Sequence, residues 1–174
     1  AGIWQTHKNK GFEEIYKDYG EGVSTKWFHV DSLTNYESPV ALKSEVNLKQ
    51  PTESEVYINP MFGHEMKTNP FKSAKRFYPV EMPYKLDQTF ILTMQVPEGY
   101  EVGQLPEQVV AKLDENESAF FEYRISQSGS TISLRSRIKI ARTFFTNEEY
   151  QNLREFFNII VNKQNERLVL KKKN

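Results

Sequence analysis

The chain has no cysteine among its 174 residues. Disulfides, thiolate metal sites and cysteine nucleophiles are therefore excluded, although this says little about compartment. It also has no surplus charge of either sign, because 23 Lys and Arg balance 23 Asp and Glu. That balance argues against a general nucleic-acid binder, whose affinity comes largely from excess cationic charge. No apolar run approaches the roughly 20 residues that a membrane-crossing helix needs, so no membrane insertion is expected. The GxSxG, P-loop and GxGxxG signatures are missing, and no cofactor is expected. Ala1-Gly2-Ile3-Trp4 has neither the basic start nor the apolar core of a signal peptide, and reads as a boundary within something longer.

What the chain does have is strand pattern. A domain of this length buries about 70% of its unfolded surface, enough to fold without staples. Asn9 to Tyr19 reads as a short amphipathic helix stopped by Gly20. Val23–Val30, Val40–Leu48 and Glu55–Ile58 read as strands, with Val40, Leu42, Ser44, Val46 and Leu48 on one face. Phe90, Leu92, Met94 and Val96 alternate with polar residues up to a turn at Val96-Pro97-Glu98-Gly99. Tyr100–Leu105 and Val109–Leu113 are further short strands. Ala119–Ser126 and Thr131–Ile140 make a hairpin closed by Gln127–Ser130, with Ile125 expected opposite Ile132 and Glu122 opposite Arg135. Thr146 and Glu149 form a capping box before a helix carrying Tyr150, Leu153, Phe157, Ile160 and Val161, widened by Phe156 and Ile159. Arg167–Lys171 alternates as a last strand. The expectation is a mainly β, antiparallel sandwich, Ig-like or similar, of about nine strands. It has a short N-terminal helix and a longer one near the C-terminus, in a single domain over 1–174.

Between the strands lies a stretch without helix or strand period, Tyr57 to Tyr84. It holds four of the eight prolines and six aromatic residues, and its two Asn-Pro steps, at Asn59 and Asn69, are ten residues apart. Phe62, Phe71, Phe77, Tyr78 and Tyr84 could form a binding platform for a sugar or peptide. The alternative is a surface-crossing connection anchored by its rings, and anchoring is preferred for most of them. Arg76 and Tyr78 are expected to be its polar and apolar anchors. The turn from Met61 to Phe71 is expected to face a neighbour.

Other constellations are weaker. His7, His29 and His64 lie in no metal-ligand spacing. Glu13-Glu14 and Glu148-Glu149 are adjacent and do not converge on one substrate, although an acid/base pair could be assembled from distant strands. Arg135, Arg137 and Lys139 make a basic stripe, read as a solvated face partly paired with Glu122 rather than an anion site. Lys171-Lys172-Lys173 reads as a solubilising tail, and Asn116-Glu117-Ser118 as an exposed turn that happens to fit a glycosylation pattern.

One resemblance gathers these motifs. Tyr57-Ile58-Asn59-Pro60, Asn69-Pro70-Phe71-Lys72, Arg76, Tyr78-Pro79-Val80 and Tyr84 stand in order. They are followed by Val96-Pro97-Glu98-Gly99-Tyr100, Leu105-Pro106, Phe145, Glu149-Tyr150, Leu153, Phe156, Lys163-Gln164 and Leu168–Lys171. This order resembles the C-terminal domain of unknown function of bacterial exported transglutaminase-like proteins, closely over the last two-thirds of the chain and loosely over the first third. Such proteins combine an N-terminal β-rich domain, a transglutaminase/protease-like core with a Cys-His-Asp triad, and this C-terminal domain. The resemblance implies a non-catalytic accessory domain that positions or stabilises that core, in the periplasm or cell envelope. Its partners would be the upstream core, an envelope protein or a glycan, and not nucleic acid. It brings no catalytic residues. Phe62, Asn69, Pro70, Phe71, Arg76 and Tyr78 are the expected interdomain or ligand contacts. A carbohydrate- or peptide-binding module using rings of 57–84 is the alternative.

Overall fold

The structure, a computed structural model, describes residues 23–35 and 37–173. The expected helix at 9–19 lies outside them. Where one domain was expected, the chain divides into two compact units, 1–52 and 53–174.

In the first unit, β1 (Val23–Asp31) and β2 (Ala41–Leu48) form an antiparallel ribbon with a bulge between Thr25 and Trp27. Register puts Phe28, Val30, Leu42, Val46 and Leu48 on one face, the period-two pattern read from the sequence. The other face is charged. Lys43 donates to Asp31 at 2.6 Å and Trp27 Nε1 to Glu45 at 2.8 Å.

The second unit carries β3 (Glu55–Ile58), β4 (Val80–Glu81), β5 (Leu86–Gln95), β6 (Tyr100–Gln104), β7 (Val109–Lys112), β8 (Ala119–Ser128), β9 (Thr131–Ile140), β10 (Phe144–Phe145), helix α1 (Tyr150–Gln164) and β11 (Leu168–Lys172). The strands pair as a four-stranded sheet, β5-β9-β8-β7, a three-stranded sheet, β3-β11-β6, and a small β10-β4 pair. All pairings are antiparallel. The protein is thus mainly β with one helix near the C-terminus among the described residues. Both larger sheets feed one core. Phe121, Tyr123 and Ile125 from β8, Leu134 and Ile138 from β9, and Leu168 and Leu170 from β11 join the helix stripe Tyr150, Leu153, Phe156, Phe157 and Ile160. Ile159, expected to widen that stripe, is instead exposed.

Three local expectations shift. The β8–β9 hairpin pairs Ile125 with Leu134, Tyr123 with Ser136 and Glu122 with Arg137, two residues from the expected register. Ser128 pairs with Thr131, so the loop is Gly129-Ser130 rather than four residues. Gly129 at φ +57° takes the first central position, which suits glycine in a two-residue hairpin loop. A slip of two preserves every face, so Phe121, Tyr123 and Ile125 still point inward. The turn before β6 closes as Pro97–Tyr100, with Tyr100 N donating to Pro97 O at 3.1 Å and Gly99 at φ +81° in its third position. Finally, β11 does not alternate. It is the central strand of its sheet, and Leu168, Val169 and Leu170 are buried in succession.

The reciprocal hydrogen bonds of the expected capping box form, although α1 starts at Tyr150 with Glu149, not Thr146, as its N-cap. Glu149 accepts from Thr146 N at 2.8 Å, while Thr146 Oγ1 accepts from Glu149 N at 3.3 Å. It closes the turn immediately before α1. Arg142 clamps the same carboxylate and stacks over the Phe145 ring at 4.3 Å. The hydrogen bond from Arg142, with that from the Thr146 amide, holds the Glu149 carboxyl down at about 2.

Candidate functional site

The 57–84 segment begins as the edge strand β3 and then turns sharply. Asn59 Oδ1 accepts from Met61 N at 2.9 Å, and Phe62 and Gly63 follow at φ +45° and +79°. A phenylalanine in the left-handed region is strained and persists only where its surroundings impose it. Here Pro60 and Met61 are fully buried beneath the turn. The C-terminal end of α1 fixes the rest. Asn59 Nδ2 donates to Gln164 O at 3.1 Å, Met66 N to Gln164 Oε1 at 2.8 Å, and Asn165 Nδ2 to Met66 O at 2.9 Å.

Between this pinned turn and the β5–β9 edge lies an open cleft of about 180 Å³, lined by Met61, His64, Glu65, Met66, Phe90 and Ser136, with Gln88, Ile138 and Gln164 completing it. Its polar floor is held in place, because Gln164 Nε2 donates to Ser136 Oγ at 3.1 Å. The His64 and Phe90 rings lie 5.1 Å apart at an interplanar angle of 36°. Burial pushes the His64 imidazole below its ordinary value, and the charge of Glu65 opposes that shift. The neutral imidazole therefore prevails at pH 7. Glu65 Oε2 is buried without a hydrogen-bond partner among the described residues. Sequence reading did not bring these lining residues together, because they come from four separated stretches of chain.

The expected contact residues divide. Phe62 is half-buried beside the core. Asn69 and Phe71 serve as anchors. Asn69 Nδ2 donates to Arg154 O at 2.9 Å and Asn158 Oδ1 at 2.7 Å, while its Oδ1 accepts from Phe71 N at 2.8 Å. Phe71 packs edge-on against Tyr150 and Phe157, with centroids 5.9 and 5.0 Å away. Pro70 between them is exposed. Arg76 and Tyr78 are not anchors, because both are exposed. Met61, placed on the neighbour-facing turn, is buried. The anchoring preference thus fails for three of the five rings, since Phe77, Tyr78 and Tyr84 are 85%, 78% and 67% exposed. The chain is held before them by Tyr150 Oη donating to Ser73 O at 2.7 Å, and between Tyr78 and Tyr84 by buried Val80 pairing with Phe145.

The two arginines of the basic stripe on β9 are paired. Arg137 makes a two-pronged contact with Asp87 at 2.8 and 2.9 Å, and Arg135 and Arg124 both clasp Glu122. Asn116-Glu117-Ser118 lies in the β7–β8 turn, where Ser118 N donates to Asp114 Oδ1 at 2.9 Å.

Residues 54–170 match the family model described as a domain of unknown function, DUF3858, and the chain belongs to that family. The match begins within one residue of the second compact unit. No curated protein matches the chain. A crystal structure described as that of a "putative protease" from Parabacteroides distasonis aligns with 57% of this chain, at 21% identity and a TM-score of 0.49. The aligned part spans 19% of that protein, and so distant a likeness carries no argument about activity.

Proposed function

We propose that this chain is a non-catalytic accessory portion of a larger exported protein, positioning or stabilising a transglutaminase/protease-like core in the periplasm or envelope. The observation that carries this reading is the exposed ring set Phe77, Tyr78 and Tyr84, on chain pinned to α1 and β10. Large exposed rings on an anchored backbone are characteristic of surfaces that meet another protein. The absence of cysteine supports the same division of labour, since such a core needs a thiol nucleophile that this chain cannot supply. The resemblance of the 57–84 motifs to the domain that follows such cores adds the identity of the partner.

The test is removal of residues 54–170 from the full-length protein. A fall in the core's melting temperature or in its turnover supports the reading, and an unchanged core rejects it. The same rings favour a second reading, a carbohydrate- or peptide-binding module, because flat exposed aromatic faces also stack on sugars. A glycan array separates the two. Glycan binding lost on Phe77→Ala and Tyr78→Ala, with the core indifferent to deletion, favours the module.

A further inference from the structure

We propose that the cleft between the 61–66 turn and the β5–β9 edge binds a small organic cation, a primary ammonium on a short aliphatic stem such as a lysine side chain. The first argument is charge. Glu65 lines the cleft, and no lysine or arginine pairs with it among the described residues; its Oε2 is buried and has no hydrogen-bond partner. His64, the other titratable lining residue, has its imidazole held toward the neutral form by burial. Among the described residues the cleft therefore presents one carboxylate without an ion-pair partner, and a cation is the group that compensates it.

The second argument is shape. Met61, Met66, Phe90 and Ile138 give an apolar wall for an aliphatic stem. At about 180 Å³ the cleft is smaller than the roughly 300–1,000 Å³ of sites for drug-sized ligands. It suits a single side chain or a short amine.

The third argument is preorganisation. Gln164 bridges Met66 N and Ser136 Oγ, and Asn59 and Asn165 tie the turn to the end of α1, so the cleft's walls are fixed before a ligand arrives. The strained Phe62 backbone sits at the same turn. None of Phe77, Tyr78 or Tyr84 lines the cleft, so this inference does not rest on the accessory reading.

The experiment is a titration of the isotope-labelled chain with Nα-acetyl-lysine amide and with its neutral counterpart, Nα,Nε-diacetyl-lysine amide, followed by amide chemical shifts. The charged probe is expected to saturate shifts at Glu65, Met66, Gln88 and Ser136, and the neutral one to leave them in place. Glu65→Gln, checked for an unchanged melting curve, is expected to weaken the charged probe by at least about tenfold. If that variant unfolds, the paired probes on the native chain still decide. Equal shifts from both probes, no shifts at the cleft, or undiminished binding by a folded Glu65→Gln variant overturns the proposal.

Discussion

Tyr123 carries its hydroxyl into the core with the whole side chain buried and no partner for the oxygen among the described residues. Burial pushes its ionisation far above the ordinary phenol range, so the group is a neutral, unsatisfied dipole. Such a group costs free energy without returning a hydrogen bond. Tyr123→Phe is therefore expected to raise stability by about 1 kcal/mol in a denaturant titration, and a loss of similar size would show that the hydroxyl is in fact bonded. Glu149 is the opposite case, a carboxylate held to about 2 by Arg142 and Thr146. Its folded value lies below its unfolded value near 4.5. Its contribution is therefore complete above that range and is lost as pH falls from about 4.5 towards 2. Glu149→Gln should flatten the pH dependence of stability in that window, as read from melting temperatures, and an unchanged slope would discount the clamp.

Among elements, the strands of the four-stranded sheet were the most legible part, because one of its faces is buried and period two shows directly in the letters. Phe90-Leu92-Met94 and Phe121-Tyr123-Ile125 are clear examples. Register was less legible. The polar letters of Gln127 and Ser128 suggest a four-residue loop, yet ladder hydrogen bonds accept any side chain, and the strands run on to Gly129. Nothing lies within 4 Å of a Cβ built on Gly129, so its φ of +57° is the only cost of a side chain there. Gly129→Ala should lose about 1 kcal/mol, and a variant as stable as the native chain would argue against this turn. The 59–73 connection is held by asparagines, whose short amides bond the local backbone and the helix together. Asn69→Ala, which removes bonds to Arg154, Asn158 and Phe71, is expected to cost about 1–3 kcal/mol. It should also speed hydrogen exchange at the Phe71 amide, and unchanged exchange would remove Asn69 from the anchoring scheme.

At the scale of the molecule, the surface reads differently from the letters. Ring content marked Tyr57–Tyr84 as special, but which rings turn inward depends on where the chain is tied, and those ties lie up to about a hundred residues away at Arg154 and Gln164. That is why Arg76 and Tyr78 read as anchors and proved exposed, and why Glu65, Gln88, Ser136 and Gln164 gave no common signal. The basic stripe was legible in part, through Glu122 on the neighbouring strand β8, whereas Asp87 on β5, the partner of Arg137, gave no signal. The central claim is that Phe77, Tyr78 and Tyr84 meet a folded neighbour. It is tested most directly in the full-length protein by replacing all three with serine and following the core's melting transition. The account predicts that the core melts at a lower temperature, close to that of the protein lacking residues 54–170, while the isolated 174-residue chain melts as before. A core transition that stays in place with the three rings gone would contradict it.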